Sequence, residues 1–576
     1  MEDVLLATDS RFGKLYTPGQ PVEVSFTLSR MALRIFHQGL HALKDSPGAV
    51  ARLFPSPRDL AAAKLHPPRT GDLSVALTFY NRDLNVEQQG AVRQVVDGVA
   101  RHVPYVIFGP PGTGKTTTVA EAIVQCAKGA RKLLAKPLTV LACAPTNTAA
   151  DVLAERLVRV LSSKMELLRL VARSRSRSDM PAALLPYSNW DAVEESFAEL
   201  PVDAIKAKQV VVATLCTAGK LINLNGMERG HFDLVVLDEA GQALEPEALA
   251  PATALLGEGG QLVVAGDPKQ LGPVIHHRIA SDHGLGCSLL ERLMGRPVYQ
   301  KQGGQYDARV LTKLVQNFRA HADLLELPNR LFYEGDLRCR ADPTLINCCL
   351  QWEGLPTPGV PLFFHGLVGK DTREKTSPSW FNPDEAVAVI QHVKDLCRPH
   401  SMGRGGMKIT PAMIGVIAPY NKQVQRIRFA LKGVDLGDVK VGSTEMFQGQ
   451  ERRIIIISTV RSSEDYVGSD VRHNLGFLDN SKRFNVAVTR ACALLIVVGN
   501  PAVLMLDKHW RALLELCVRK GAYRGVPVVF PDQAPADSLA DDIARLHLHA
   551  DDPDDAEQQE PTHRMQQEHA QMPEFE

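Results

Sequence analysis

Phe108 to Ile123, FGPPGTGKTTTVAEAI, combines an apolar lead-in with closely spaced glycines, a lysine and a run of threonines. Such a spacing suits anion binding. Gly109, Gly112 and Gly114 allow the backbone to wrap a polyphosphate with its N–H groups, Lys115 reaches the outer phosphates and Thr116 offers a hydroxyl to Mg²⁺. Pro110, Pro111, Thr113 and Thr117 complete the cradle. The implied ligands are ATP and Mg²⁺. A structural glycine-rich turn is the alternative, but its full pattern between an apolar strand and a helix favours the nucleotide.

A phosphate cradle alone serves many chemistries, so the reaction must be read from its companions. Phe232 to Ala240, FDLVVLDEA, reads as a strand ending in two carboxylates. Asp238 can bind Mg²⁺, and Glu239 can orient and deprotonate an attacking water. A carboxylate pair capping a helix is the alternative reading. GDPKQL (Gly266 to Leu271) follows another apolar run and offers Gln270 to a γ-phosphate. NFRAH and FNVAVTRA offer Arg319 and Arg490 from the second half of the chain. An arginine closing on ATP from a second lobe is worth roughly 10³ to 10⁵ in rate. Surface salt bridges are the bland alternative for both.

The elements that must hold these groups are legible as apolar runs. Tyr105 to Phe108, Leu138 to Ala144, Gln209 to Thr214, Phe232 to Asp238 and Gln261 to Ala265 read as buried parallel strands. Helical stretches at Thr117 to Lys128 and Ala149 to Leu161 alternate with them, which predicts an α/β layer structure. Met413 to Ala418, Asp438 to Ser443, Arg453 to Thr459, Leu494 to Gly499 and Val526 to Phe530 repeat the pattern. Two tandem lobes follow, joined near residue 300. The chain has 576 residues and 45% apolar content, enough for such cores. No apolar run approaches the ~20 residues that span a bilayer, so no membrane partner is expected. The 10 cysteines form no CxxC pair, which predicts free thiols and no structural zinc. Zero net charge hides an asymmetry: Asp551 to Glu576 holds nine acidic residues against Arg564, so the preceding body is near +8. A mildly basic body is compatible with a polyanion.

The ordered set GPPGTGKT, APTNTAAD, DEAG, GDPKQL, QNFRAH, STEMFQGQE and NVAVTRA resembles superfamily-one helicases of the up-frameshift type, from about Leu84 to Pro501. LPYSNWDA, ATLCTAGKL and LPNRLFYEGDLRC are similar to the Moloney-leukaemia-virus-ten and Armitage RNA helicases within that class. The resemblance implies two RecA-like P-loop lobes and an ATP-dependent RNA helicase or translocase. Lys115, Thr116, Asp238, Glu239, Gln270, Arg319 and Arg490 match its ATPase positions. In LNVEQQGAV, Gln88 matches the adenine-reading amide, with a surface glutamine as the alternative. Gly449 and Glu451 match the loop that meets the nucleotide from the second lobe. Phe318 matches an aromatic that stacks on adenine, with a core position as the alternative. Thr146 and Asn147, Thr214 and Thr217, and Ser443 and Thr444 resemble backbone contacts to single-stranded RNA. Helix caps or turn hydroxyls are the alternative for each.

The expected domains are a partial β-barrel and stalk helix at 1–56, a linker at 57–83, lobe 1 at 84–300, lobe 2 at 301–535 and a disordered acidic tail at 536–576. Against the family pattern, the inserted barrel and amino-terminal domains are mostly missing, which suggests either a fragment or short isoform or a loss of the family's accessory parts. The resemblance further implies 5′-to-3′ movement, partners in RNA silencing, transposon control or mRNA turnover, and cytoplasmic granules such as P-bodies. Two alternatives remain open: a DNA or dual-substrate helicase, and an RNA-bound scaffold that hydrolyses ATP weakly.

Overall fold

The computed structural model describes residues 30–45, 48–58, 66–71, 76–275, 277–373, 379–403, 406–463, 477–478 and 480–530. Two parallel sheets organise them. The first contains β1 (Tyr105–Phe108), β2 (Val140–Ala144), β3 (Leu167–Arg169), β4 (Val210–Thr214), β5 (Phe232–Leu237), β6 (Leu256–Gly266) and β7 (Leu311–Lys313). Their order is β3-β4-β2-β5-β6-β1-β7, parallel throughout. Its strands are covered on both faces, which is why β1 and β2 are unbroken apolar runs without alternation. Val106, Leu141, Val211 and Val235 pack on one side, while Ile107, Val140, Ala142 and Val236 pack on the other. Each buried Val, Leu or Ile side chain among them contributes about 1.5–3 kcal/mol of transfer free energy.

The second sheet contains β8 (Leu362–Gly366), β9 (Ile414–Ile417), β10 (Lys440–Gly442), β11 (Arg452–Ser458), β12 (Ala491–Gly499) and β13 (Tyr523–Gly525). Its order is β10-β9-β11-β12-β8-β13, again parallel. Phe364, Ile455 and Val497 fill one side and Phe363, Ile454 and Ile496 the other. The amphipathic helix Ala322–Phe332 joins the lobes: Leu325 packs into the first core and Leu324 and Leu327 into the second.

Three expectations are corrected. The first sheet continues past residue 300, because Leu311, Thr312 and Lys313 pair with Val106, Ile107 and Phe108. Described parts of 57–83 are not a free linker. Tyr80 and Asn81 donate their N–H groups to Glu121 at 2.8 and 3.0 Å, and Leu77, Phe79 and Tyr80 pack on the first core. Val526 to Phe530 forms no strand; the edge of the second sheet is β13, whose N–H and C=O groups pair with β8.

The helix Met31–Asp45 buries Ile35 and Ala42 while Gln38 donates to Asn223 Oδ1 at 2.7 Å, which ties it to the first lobe. The barrel expected before it and the acidic tail lie outside the described residues. Among the described residues no helix is long and apolar enough to cross a membrane, no group of three metal-ligating side chains forms, and all ten cysteines are free thiols.

Candidate functional site

β5, β6 and β1 are neighbours, so the segments leaving their carboxyl ends lie side by side. These are Asp238–Glu239, the GDPKQ turn and the glycine-rich loop. Gly112 and Gly114 have φ of +70° and +78°, a left-handed conformation that disfavours side chains. A Cβ on Gly112 would stand 2.5 Å from Arg319 Cβ and 2.8 Å from Asn317 Nδ2. Asn317 donates to the Pro111 carbonyl at 2.6 Å, and Phe318 N–H donates to the Gly112 carbonyl at 2.8 Å. The segment carrying Arg319 is therefore docked on the loop.

Lys115, the first residue of the helix Lys115–Ala127, is buried and lies 2.9 Å from Glu239 Oε1. Burial works against its charge, but Glu239 and Asp238 outweigh it and hold the ammonium above its ordinary value. Burial and the adjacent Glu239 push the Asp238 carboxyl up to about 6, against the pull of Lys115 and a hydrogen bond from Thr116. Glu239 moves the other way: burial raises it, but the Lys115 charge and hydrogen bond, with Arg490 farther off, bring it below its usual range. Glu239 also has φ of +52°, an uncommon conformation for a non-glycine residue, costing about 1–2 kcal/mol. Gln242 Nε2 donates to its Oε2 at 3.2 Å. One ionised carboxylate and one easily protonated neighbour thus share the cradle. The Thr116 hydroxyl beside the Asp238 carboxylate is a hard oxygen donor pair that fits Mg²⁺.

The second lobe meets this edge with the opposite ends of its strands. Arg490 precedes β12, Glu451 precedes β11, and Arg452 N–H donates to the Arg490 carbonyl at 3.1 Å. Arg490 is buried; its Nη2 donates to Gln270 Oε1 at 3.0 Å, its Nε to the Val486 carbonyl at 3.0 Å and its Nη1 to the Gln450 carbonyl at 3.3 Å. Burial, with Arg319 nearby, brings its guanidinium down to about 9. Arg319 forms an ion pair with Glu451 and donates to the Thr489 carbonyl at 3.2 Å. The Arg319 charge holds the Glu451 carboxyl below its ordinary value despite burial. Gly449 sits in the same loop with φ of +71°.

Residues absent from the sequence reading complete the junction. Tyr333 donates to Asp267 Oδ2 at 2.8 Å, Gln270 Nε2 donates to the same oxygen at 2.7 Å, and Asn485 donates to Tyr333 Oη at 2.7 Å. Asn485 Nδ2 also reaches the Lys269 carbonyl at 2.9 Å. Arg156, on the helix Asn147–Leu157, donates to Thr117 Oγ1 at 2.9 Å. Asp267 and Asn485 sit inside quoted motifs, so proximity to them was a usable signal. Tyr333 likewise lies inside the quoted LPNRLFYEGDLRC, whereas nothing local marks Arg156.

Gln88 lies beneath the loop: its Nε2 donates to the Thr113 carbonyl at 3.1 Å and its Oε1 accepts from Asn85 N–H at 3.0 Å, closing a capping box. Phe318 is 44% exposed, so the core alternative fails and the ring is free to stack. Thr146 and Thr214 cap their helices, accepting from Ala149 and Thr217 N–H groups at 3.2 Å each. Thr217 is buried and its hydroxyl lies 2.8 Å from that of Thr214. Asn147 accepts from Arg169 Nη2 at 2.9 Å. Ser443 is half-buried, whereas Thr444 is 1% exposed and its hydroxyl has no partner. Thr444 therefore does not present itself to a strand in this arrangement, a correction imposed by burial.

Family models described as AAA domains match residues 83–201 and 187–278, and residues 285–502. The protein named as helicase MOV-10 of Gallus gallus is 42% identical over 575 residues, covering 95% of this chain and 57% of its own length. RNA helicase Mov10l1 of Homo sapiens is 46% identical over 458 residues, 78% of this chain and 36% of that one. The RNA helicase armi of Drosophila melanogaster is 35% identical, with 94% and 48% covered. The chain thus spans about half the length of the curated relatives it matches. The solved arterivirus nonstructural protein 10 helicase aligns over 73% of this chain and 64% of its own at 14% identity, with a TM-score of 0.34 too low to carry an argument. With its paired AAA domains and these relatives, the chain belongs to the MOV-10, Mov10l1 and Armitage helicase family.

Proposed function

We propose that this chain is the ATP-driven motor of an RNA helicase, with ATP bound between the lobes and single-stranded RNA held across both. The carrying observation is the direct contact of Arg490, from the second lobe, with Gln270 at the edge that holds Lys115, Asp238 and Glu239, beside the Arg319 segment that is docked on the glycine-rich loop and pairs with Glu451 of the second lobe. A triphosphate competes with Glu239 for the Lys115 ammonium. Lys115 then turns to the outer phosphates, and the released Glu239 carboxylate takes the proton of the attacking water. Thr116 and Asp238 would hold Mg²⁺, which supplies charge neutralisation on the phosphate oxygens when bound. Arg490 and Arg319 stabilise charge developing on the transferred group. Because Gln270 bonds both Arg490 and Asp267, the state of the phosphate reaches Tyr333 and Asn485 and hence the angle between lobes.

The RNA reading rests on the likeness to the RNA helicases Mov10l1 and armi and on the turns at Thr146, Asn147, Thr214 and Ser443. Backbone contacts of this kind carry no base sequence. The same reading includes 5′-to-3′ movement, partners among RNA-silencing or mRNA-decay proteins, and cytoplasmic granules. Steady-state ATPase with oligouridine against oligodeoxythymidine tests it. RNA-selective stimulation supports the reading, and equal stimulation by DNA favours a dual-substrate motor.

A further inference from the structure

Beyond β3 the chain runs ARSRSRSD, placing Arg173, Arg175 and Arg177 on one loop. These three and Trp190 line a cavity of about 340 Å³, the scale of a small-ligand site. Arg175 is 7% exposed, and its two terminal nitrogens are spent on Asp151 at 3.1 and 2.6 Å and on the Asp179 carbonyl at 2.7 Å. Its Nε is buried with no partner, an unmet donor in the cavity wall. Asp151 also accepts from Arg169 Nε at 2.9 Å, so one carboxylate serves two buried guanidiniums. Arg173 and Arg177, both exposed, add positive charge, and Glu195 is the acidic group in the lining. The Arg177 guanidinium lies 5.7 Å from the Trp190 ring centre, and Trp190 is braced edge-on by Phe197 at 5.1 Å. Cations beside a braced aromatic face match a phosphate with an attached base.

The cavity is wired to the proposed strand path. Arg169, which shares Asp151 with Arg175, donates through Nη2 to Asn147 Oδ1 at 2.9 Å. We infer that this cavity takes one nucleotide of single-stranded RNA, its phosphate against Arg173 and Arg177 and its base against Trp190. The inference rests on the RNA-binding reading above and extends the strand past Thr146 and Asn147 to the outer edge of the first sheet.

The test is titration of the full chain with a fluorescent oligouridine of about 20 nucleotides at several salt concentrations. The Arg173→Glu/Arg177→Glu double variant changes exposed residues only, and its melting temperature controls for folding. The expected result is roughly tenfold weaker binding and a log–log salt slope shallower by about 0.7, one phosphate contact at single-strand strength. Photocrosslinking of 5-iodouridine RNA is expected to label Trp190. Unchanged affinity and slope in the double variant, with binding still weakened by Asn147→Ala, would overturn the cavity and leave RNA binding standing. No RNA binding by the unmodified chain would overturn the functional reading and the cavity with it.

Discussion

Arg490→Gln separates catalytic electrostatics from folding. Burial, with the Arg319 charge beside it, works against the charged form of the guanidinium. Its hydrogen bonds to the Val486, Gln450 and Gln270 oxygens offset this at about 1.5 kcal/mol each. The two contributions oppose each other, so the variant should melt within about 5 °C of the parent. Catalysis has no such compensation. Loss of a phosphate-facing arginine should lower kcat at least ~10³-fold, about 4 kcal/mol of transition-state stabilisation. The stabilisation by nucleotide should also shrink, because a bound polyanion relieves the cost of burying the cation. Differential scanning fluorimetry and an RNA-saturated ATPase assay read both quantities. A kcat within threefold of the parent in a folded variant would refute the assignment of Arg490 to the phosphate.

Other substitutions test the neighbouring parts. Gly112→Ala places a methyl 2.5 Å from Arg319 Cβ at a φ of +70°, so nucleotide affinity should fall at least about tenfold by fluorescent-nucleotide titration; parental affinity would mean the loop and Arg319 are not locked together. Gln88→Ala removes the tether to the Thr113 carbonyl and half a capping box, and should raise KM for ATP with a smaller change in kcat. An unchanged KM would count against this role. Glu385 is buried and its carboxyl is pushed up to about 7 by burial, despite hydrogen bonds from Ser458 and Val460 N–H. A raised carboxyl binds a proton in the folded state that the unfolded chain releases near 4.5, so its contribution to stability falls as pH rises from about 5 to beyond 7. The span is about 3 kcal/mol, and Glu385→Gln should flatten it in denaturant titrations; a variant that keeps the parental pH slope would place its origin elsewhere.

The cradle and its carboxylates were legible because each is local: strand, turn and helix start follow one another from Tyr105 to Ile123, and the carboxylates end a single apolar strand at Asp238 and Glu239. Long apolar strands such as β11 and β12 announced themselves for the same reason. β3, β7 and β8 escaped notice. Leu311–Lys313 offers a run too short to stand out, and only its pairing with β1 makes it a strand. The Val526 to Phe530 run shows the converse, since apolar residues without a neighbouring ladder did not form a strand. Interlobe groups were hidden by distance along the chain. Tyr333 joins Asp267 to Asn485 across 66 and 152 residues, and no spacing rule reaches that far. Gln88 was seen as nucleotide-facing, yet its partners here are backbone groups of its own cap and of the loop. The caps at Thr146 and Thr214 show that a hydroxyl suited to phosphate is equally suited to a helix start.

The central claim is that one ATPase site, fired by Glu239 and completed by the second lobe, is coupled to RNA. Its most direct measurement is the steady-state ATPase rate of the 576-residue chain with and without single-stranded RNA, beside Glu239→Gln. The account predicts RNA-stimulated turnover in the parent and its loss by at least about 10²-fold in the variant, with nucleotide binding retained. Parental turnover in Glu239→Gln, or RNA binding without Glu239-dependent hydrolysis, would contradict it.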